Sequence, residues 1–204
     1  MNSNRKYTPI DLKIVVLGAA SVGKTSIINR YCNGVFQEET LSTIGAGFFT
    51  HTVTVNDNEV TLMVWDTAGE ERFRSVAPSL LRGASGLVLV YDLQSQESFG
   101  NLDTYMEMFL DTVNVNPGAQ MPVLLLGNKK DLPNPTVTPD MIESWKNKNH
   151  VTLSGLVSAK TGENIEDSFI SLVEVLVSPG NYQDSPPLSF PTPVEKPDKQ
   201  GGCC

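Results

Sequence analysis

Apolar residues along this chain fall into two kinds of pattern. Short continuous runs occur at LKIVVLG (12–18), GLVLVYD (86–92) and PVLLLGNKKD (122–131), with a less continuous one at VTLSGLVSA (151–159). Each is too short for a buried helix and ends in glycine or polar residues, which predicts strands buried on both faces. Between them lie stretches of helical length with apolar residues three and four apart. The clearest are 97–113 (ESFGNLDTYMEMFLDTV) and 164–177 (NIEDSFISLVEVLV). Strands alternating with helices predict right-handed crossovers and a mainly parallel sheet with helices on both faces. The segment 48–66 reads differently: FFTHTVTV, then NDN, then EVTLMVWD. It predicts two strands joined by a tight turn of residues that tolerate left-handed backbone, so one edge strand should run antiparallel. The expected architecture is α/β with a six-stranded, mostly parallel sheet.

The pattern fades after about Val177. Residues 178–204 hold six prolines and no aliphatic periodicity, which predicts an extended, mobile tail. At about 3 Å per residue it would reach roughly 80 Å. The expected organisation is a flexible N-terminus at 1–9, one folded domain at 10–177 and a proline-rich tail at 178–204.

Composition narrows the function classes. The chain has 204 residues, 40% of them hydrophobic, and a net charge of −8. That balance argues against a general nucleic-acid or anionic-membrane surface. The stretch MNSNRKYTPI lacks the apolar core of a signal peptide, and no apolar run approaches the roughly 18–20 residues that span a bilayer. Three cysteines, two of them the final pair Cys203 and Cys204, cannot build a disulfide framework, so a reducing cytosolic setting is expected. Cys32 lies within the first helical pattern and reads as a small buried apolar residue rather than a reactive one.

The strongest chemical signal is GAASVGKT (18–25), which follows the first strand and precedes a helix starting near Lys24. It matches G-x-x-x-x-G-K-[ST]. Gly18 and Gly23 let the backbone wrap a phosphate, and the N–H groups of Ala20, Ser21, Val22, Gly23, Lys24, Thr25 and Ser26 would form an anion nest at a helix N-terminus. Lys24 would supply a point charge to the β- and γ-phosphates, and the Thr25 hydroxyl would ligate Mg²⁺. NKKD (Asn128–Asp131) follows the third apolar strand, at the carboxyl edge where open α/β sheets bind ligands. A carboxylate there, Asp131, can accept from guanine N1–H and its exocyclic amine, a pair that adenine does not offer. Alone, NKKD reads as an ordinary polar loop. The second half is SAK (Ser158, Ala159, Lys160), after the last strand. The Ala159 N–H can donate to guanine O6, and the Lys129 and Lys160 stems can sandwich the ring. Together these loops disfavour the alternative of an adenine-nucleotide kinase built on the same P-loop.

GAASVGKT, STIG, WDTAG, NKKD and SAK, in this order, resemble the five guanine-nucleotide loops of the Ras superfamily over about residues 10–177. Within it, STIGAGF (42–48), EERFRS (70–75), LRGA (81–84), LVYD (89–92) and the terminal Cys-Cys resemble the Rab family. IGAGFFTHTV and SVAPSLLRGA are most similar to its early-endosomal branch. The resemblance implies the P-loop G-domain fold and a GTP/GDP switch with Mg²⁺ that regulates vesicle traffic. It implies Thr43 as a second Mg²⁺ hydroxyl whose loop orders with GTP and loosens with GDP, against the plainer reading of a threonine opening an edge strand. It implies Asp66 as a Mg²⁺ ligand through water and the Gly69 N–H as a sensor of the γ-phosphate. For Phe36 two readings stay open, stacking on the guanine edge or ordinary core packing. Implied partners are an exchange factor, a GTPase-activating protein, escort and GDP-dissociation-inhibitor proteins, and effectors at 36–48 and 66–82, on a monomer.

The pattern departs at Glu70, where glutamine is usual. A carboxamide both accepts from the attacking water and donates to the transferring phosphoryl group, whereas an ionised carboxylate only accepts. Two consequences stay open. Glu70 weakens or rewires stimulated hydrolysis and leaves a mainly GTP-loaded effector scaffold, or it turns to solvent or to Arg72 or Arg74 and leaves slow turnover unchanged. Gly47 replaces an acidic residue and Leu80 an aromatic of the Rab effector face, beside Phe48 and Trp65. GGCC resembles the Rab signal for two geranylgeranyl groups on Cys203 and Cys204 and is not a C-a-a-X box. Two chains give stable anchoring where one does not, so the expected location is the cytosolic face of endosomal or vesicle membranes.

Overall fold

The computed structural model describes residues 10–38, 43, 46–67, 79–113 and 121–178. In chain order the elements are β1 (Ile10–Leu17), α1 (Lys24–Asn33), β2 (Ala46–Val55), β3 (Asn58–Thr67), β4 (Gly86–Asp92), α2 (Gln96–Gly100), α3 (Leu102–Val113), β5 (Val123–Asn128), α4 (Pro139–Asn149), β6 (Leu153–Leu156) and α5 (Ile165–Leu176). One six-stranded sheet has the order β2-β3-β1-β4-β5-β6. β2 pairs antiparallel with β3, and all other neighbours run parallel. The expected sheet and its single antiparallel edge strand are therefore present.

Alternation along the central strands divides the core in two. On β1, Leu12, Ile14 and Val16 face one side, with Val88 and Val90 of β4 and Leu124 and Leu126 of β5. They meet Ile27, Ile28 and Tyr31 of α1 and Phe169, Leu172 and Val173 of α5. Val15 and Leu17 of β1 face the other side, with Leu87, Leu89 and Tyr91 of β4, against Leu102, Tyr105 and Phe109 of α3 and Trp145 of α4. A strand carrying apolar residues at every position is thus stable only because both faces are covered. At the far end of α1 the Tyr31 ring stacks on Phe169 of α5, centroids 4.1 Å apart at 13°, and meets His51 of β2 at 4.6 Å.

The hairpin turn has the chemistry read from the sequence. Asn56 and Asp57 both adopt left-handed backbone, φ 50° and 62°, as a two-residue primed turn requires. Two elements differ from expectation. The stretch 97–113 is two helices, interrupted at Gly100 and Asn101, both weak helix formers. α4 is a helix the apolar pattern did not predict. It starts where the Thr138 hydroxyl accepts from Met141 N–H, with Pro139 at its first position, and ends at His150 in left-handed conformation, φ 54°.

Candidate functional site

The phosphate and base loops leave the carboxyl ends of parallel strands, and Thr43 precedes the antiparallel β2, so the topology brings them to one edge of the sheet. The loop after β1 is shaped by two glycines that nothing larger can replace. Gly18 has φ 149°, and an ideal Cβ on it would lie 2.1 Å from the Val90 carbonyl oxygen. Gly23 has φ 95°, and a Cβ there would lie 2.3 Å from Asn128 Nδ2. Ser21 also takes left-handed backbone, φ 62°. Such alternation of backbone hand curls successive N–H groups toward one concavity, the geometry of an anion nest. At its rim, the buried Lys24 ammonium donates to the carbonyls of Gly18 at 2.7 Å and Ala19 at 2.8 Å. It lies folded across the loop, with its charge where an anion would be received.

Next to the nest is a cluster of oxygen groups. Thr25 Oγ1 donates to Asp66 Oδ2 at 2.6 Å and lies 2.8 Å from Thr43 Oγ1. Asp66, at the end of β3, is 1% exposed, and its second oxygen, Oδ1, is buried without a hydrogen-bond partner among the described residues. Burial raises its pKa, opposed by the Thr25 hydroxyl bond and by the Lys24 charge. A buried carboxylate with an orphan oxygen is an expensive arrangement without a cation. Two hydroxyls and a carboxylate form a hard oxygen set of the kind that suits Mg²⁺, an ion that keeps waters and takes few protein ligands. The register holds this cluster in place. β1 pairs with β3 through Val16 opposite Asp66, and the Thr67 hydroxyl donates to the Val16 carbonyl at 2.6 Å.

The base loops converge on Asn128. Its carboxamide donates to the Val22 carbonyl at 2.8 Å and accepts from Ala159 N–H at 3.1 Å, joining the phosphate loop to SAK. The Ser158 hydroxyl donates to Asp131 Oδ1 at 2.6 Å and accepts from Thr161 N–H at 3.1 Å, which steadies the carboxylate. Lys129, in left-handed backbone at φ 66°, pairs with Asp92 Oδ2 at 2.7 Å, and Lys160 pairs with Glu38 at 3.2 Å. Asp92 escaped the motif reading, although its place at the end of a strand beside β5 was a usable signal. The Ala159 N–H is already given to Asn128, so a base carbonyl would share it. Lys160 N–H has no acceptor among the described residues.

Of the other candidates, Ala20, Val22 and Ser26 lie in the nest and the first turn of α1. Phe36 is half-buried against the α1–α5 core. Cys32 is half-buried too, and burial raises its thiol pKa to about 11, which keeps it protonated. Phe48, which is exposed, and Trp65, half-buried against the second core, form a tilted pair at 5.1 Å across the β2–β3 hairpin. Gly69, Glu70, Cys203 and Cys204 lie outside the described residues.

Comparison with known proteins agrees with this geometry. The Ras family model, described as "Ras family", matches residues 13–178. The Ras-related protein Rab7 of Drosophila melanogaster is 43% identical over 159 residues, covering 78% of this chain and 76% of that protein. Rab-7a of Paramecium octaurelia is 38% identical over 201 residues, covering 94% and 96%. RABG3b of Arabidopsis thaliana is 35% identical over 195 residues, covering 94% and 95%. The chain belongs to the Ras family, as a Rab-type small GTPase whose nucleotides are GTP and GDP with Mg²⁺.

Proposed function

We propose that this protein is a hydrolysing GTP/GDP switch of endocytic vesicle traffic, with a G domain at 10–177 and a tail at 178–204 lipidated on Cys203 and Cys204. The observation that carries the switch is the Thr25–Thr43–Asp66 cluster with its unpartnered Asp66 Oδ1. Thr25 is fixed on α1 and Asp66 on β3, whereas Thr43 comes from the segment between α1 and β2. Thr25 and Asp66 would hold Mg²⁺ in either nucleotide state, and Thr43 would join them only with the triphosphate. Mg²⁺ supplies charge neutralisation at the β- and γ-phosphates.

The chain's own groups do the rest. The nest from Ala20 to Ser26 binds phosphate oxygens. Lys24 exchanges its two carbonyl partners for the phosphates. Asp131, steadied by Ser158, accepts from guanine N1–H and the exocyclic amine. The Lys160 N–H, shared with that of Ala159, donates to guanine O6, with the Lys129 and Lys160 stems against the ring. Gly69 N–H would bind the γ-phosphate, and Glu70 would orient water. The Phe48–Trp65 face belongs to effectors at 36–48 and 66–82, and the resemblance adds exchange and activating factors and escort and GDP-dissociation-inhibitor proteins. Among the described residues no helix is long and apolar enough to cross a membrane, so attachment to the cytosolic face of endosomal membranes rests on the tail.

Two measurements test this reading. Asp131→Asn exchanges an acceptor for a donor opposite the exocyclic amine of guanine. GDP affinity should fall by about two to four orders of magnitude, while xanthosine diphosphate, which presents a carbonyl in place of the amine, gains. Unchanged selectivity in a nucleotide competition assay would remove Asp131 from the base site. Single-turnover hydrolysis of Mg²⁺-GTP by the wild type and Glu70→Gln addresses the carboxylate. Rates within about threefold of each other support the hydrolysing switch. A nearly inert wild type beside a variant faster by about 100-fold or more supports instead the GTP-loaded effector scaffold, the reading favoured by the lone carboxylate in place of a donor.

A further inference from the structure

We propose that Arg30, in the last turn of α1, is a positioning residue for the SAK loop and sets how selectively the guanine base is retained. The inference rests on the guanine reading above. The Arg30 guanidinium grips three backbone carbonyls at once. Nε donates to Ala159 at 3.0 Å, Nη2 to Lys160, and Nη1 to Gly34 at 2.9 Å. In a planar trans peptide the carbonyl and the following N–H point in opposite directions. Drawing the Ala159 carbonyl toward α1 therefore aims Lys160 N–H away from α1. Drawing the Lys160 carbonyl does the same to Thr161 N–H.

Both consequences are visible. Thr161 N–H donates to Ser158 Oγ at 3.1 Å, and that hydroxyl donates to Asp131 at 2.6 Å. Lys160 N–H is the donor left without an acceptor among the described residues. One side chain thus fixes two adjacent peptide planes. The first offers a donor to a base carbonyl, and the second steadies the hydroxyl that holds the base-reading carboxylate. Gly162 leaves room for the stem, since even an added Cβ would stand 3.6 Å from Arg30 Cδ. Hydrogen bonds from a guanidinium are charge-assisted, and its planar fork reaches several acceptors in fixed directions. A lysine at 30 would keep a positive charge near the end of α1 but has one nitrogen. If Arg30 only complemented the helix end, lysine would replace it without loss.

The test uses the full chain and two probes, GDP and 2-aminopurine ribonucleoside diphosphate, which lacks both the carbonyl at C6 and the proton at N1. Competition for the Mg²⁺-loaded protein yields the ratio of the two affinities. Wild type should favour GDP, and Arg30→Lys and Arg30→Gln should each lower that ratio by about tenfold, the scale of one well-directed hydrogen bond. Ratios unchanged in both variants, even with lower melting temperatures, overturn the inference and leave Arg30 a structural role. A wild type that shows no preference for GDP overturns the guanine reading and this inference with it. If neither variant folds, amide hydrogen exchange in wild type decides. Lys160 N–H should exchange more slowly with GDP bound than with the analogue, and equal rates overturn the proposal.

Discussion

Asp66→Asn is expected to act with opposite signs on the metal-free and the Mg²⁺-loaded protein. The Asp66 carboxylate is buried, one oxygen has no hydrogen-bond partner among the described residues, and its pKa is raised by desolvation. A carboxyl whose folded pKa lies above its unfolded value, about 3.9, favours folding fully below that value. The contribution is lost as pH rises through the folded pKa, so the ionised group destabilises the apo fold above it. Asparagine removes the charge and keeps an oxygen for the Thr25 hydroxyl. Its amide is left without a partner, at about 1–3 kcal/mol, less than the several kcal/mol of an unpaired buried ion. Apo Asp66→Asn in a chelator should therefore melt above wild type, by about 2–4 °C per kcal/mol recovered, with the gap opening as pH rises from about 4. With Mg²⁺ the order reverses, and the Mg²⁺ concentration that half-saturates GDP tightening should rise by about 10–100-fold. Melting curves with and without the metal check both halves. A variant less stable than wild type in both conditions would contradict a cation role for this carboxylate.

Gly23→Ala should sever the phosphate loop from the base loops. The added Cβ meets Asn128 Nδ2 at 2.3 Å, and the backbone at φ 95° is one that alanine adopts only with strain. Strain of this kind costs about 1–3 kcal/mol. The larger effect follows from displacing Asn128, because its carboxamide holds both Val22 O and Ala159 N–H. GDP affinity should fall by about 100-fold or more, consistent with leaving two buried backbone groups unpaired. Gly83→Ala separates the causes. It has similar left-handed backbone, φ 73°, but open space around the new Cβ. It should lower the melting temperature and leave GDP affinity near wild type. A calorimetric titration showing equal losses for both would mean that backbone strain, not the Asn128 contact, governs binding.

How far the molecule was legible depended on how local each requirement is. The Asn56–Asp57 turn was readable because positive φ at two adjacent residues demands particular side chains. The phosphate loop was readable for a related reason, as its motif lies within eight residues, although the neighbours that exclude a Cβ from its glycines, Val90 and Asn128, are far along the chain. α4 was not readable by periodicity, since only Met141, Ile142 and Trp145 mark its apolar face. Its caps were the better signal, with Thr138, Pro139 and Asp140 at the start and Lys146 and Lys148 in the last turn. The expected single helix 97–113 failed because apolar spacing continues across Gly100–Asn101 while the backbone does not. The oxygen cluster was legible as separate residues, but that Asp66 would have one oxygen unpaired was not. Arg30 had no signature, because its partners in the SAK loop lie 129 and 130 residues away and are backbone carbonyls, which any residue provides.

The stack of Tyr31 on Phe169 and its contact with His51 bear on how this molecule transmits force. α1 begins at the phosphate nest and is bolted by that aromatic contact to α5 and β2 at its other end. A helix fastened at both extremities behaves as a strut: it can neither slide along the sheet nor tilt without breaking a stacked pair. The phosphate nest at its start and the aromatic contact at its end are therefore held at a fixed separation. The helix thus serves as a fixed post for the nest.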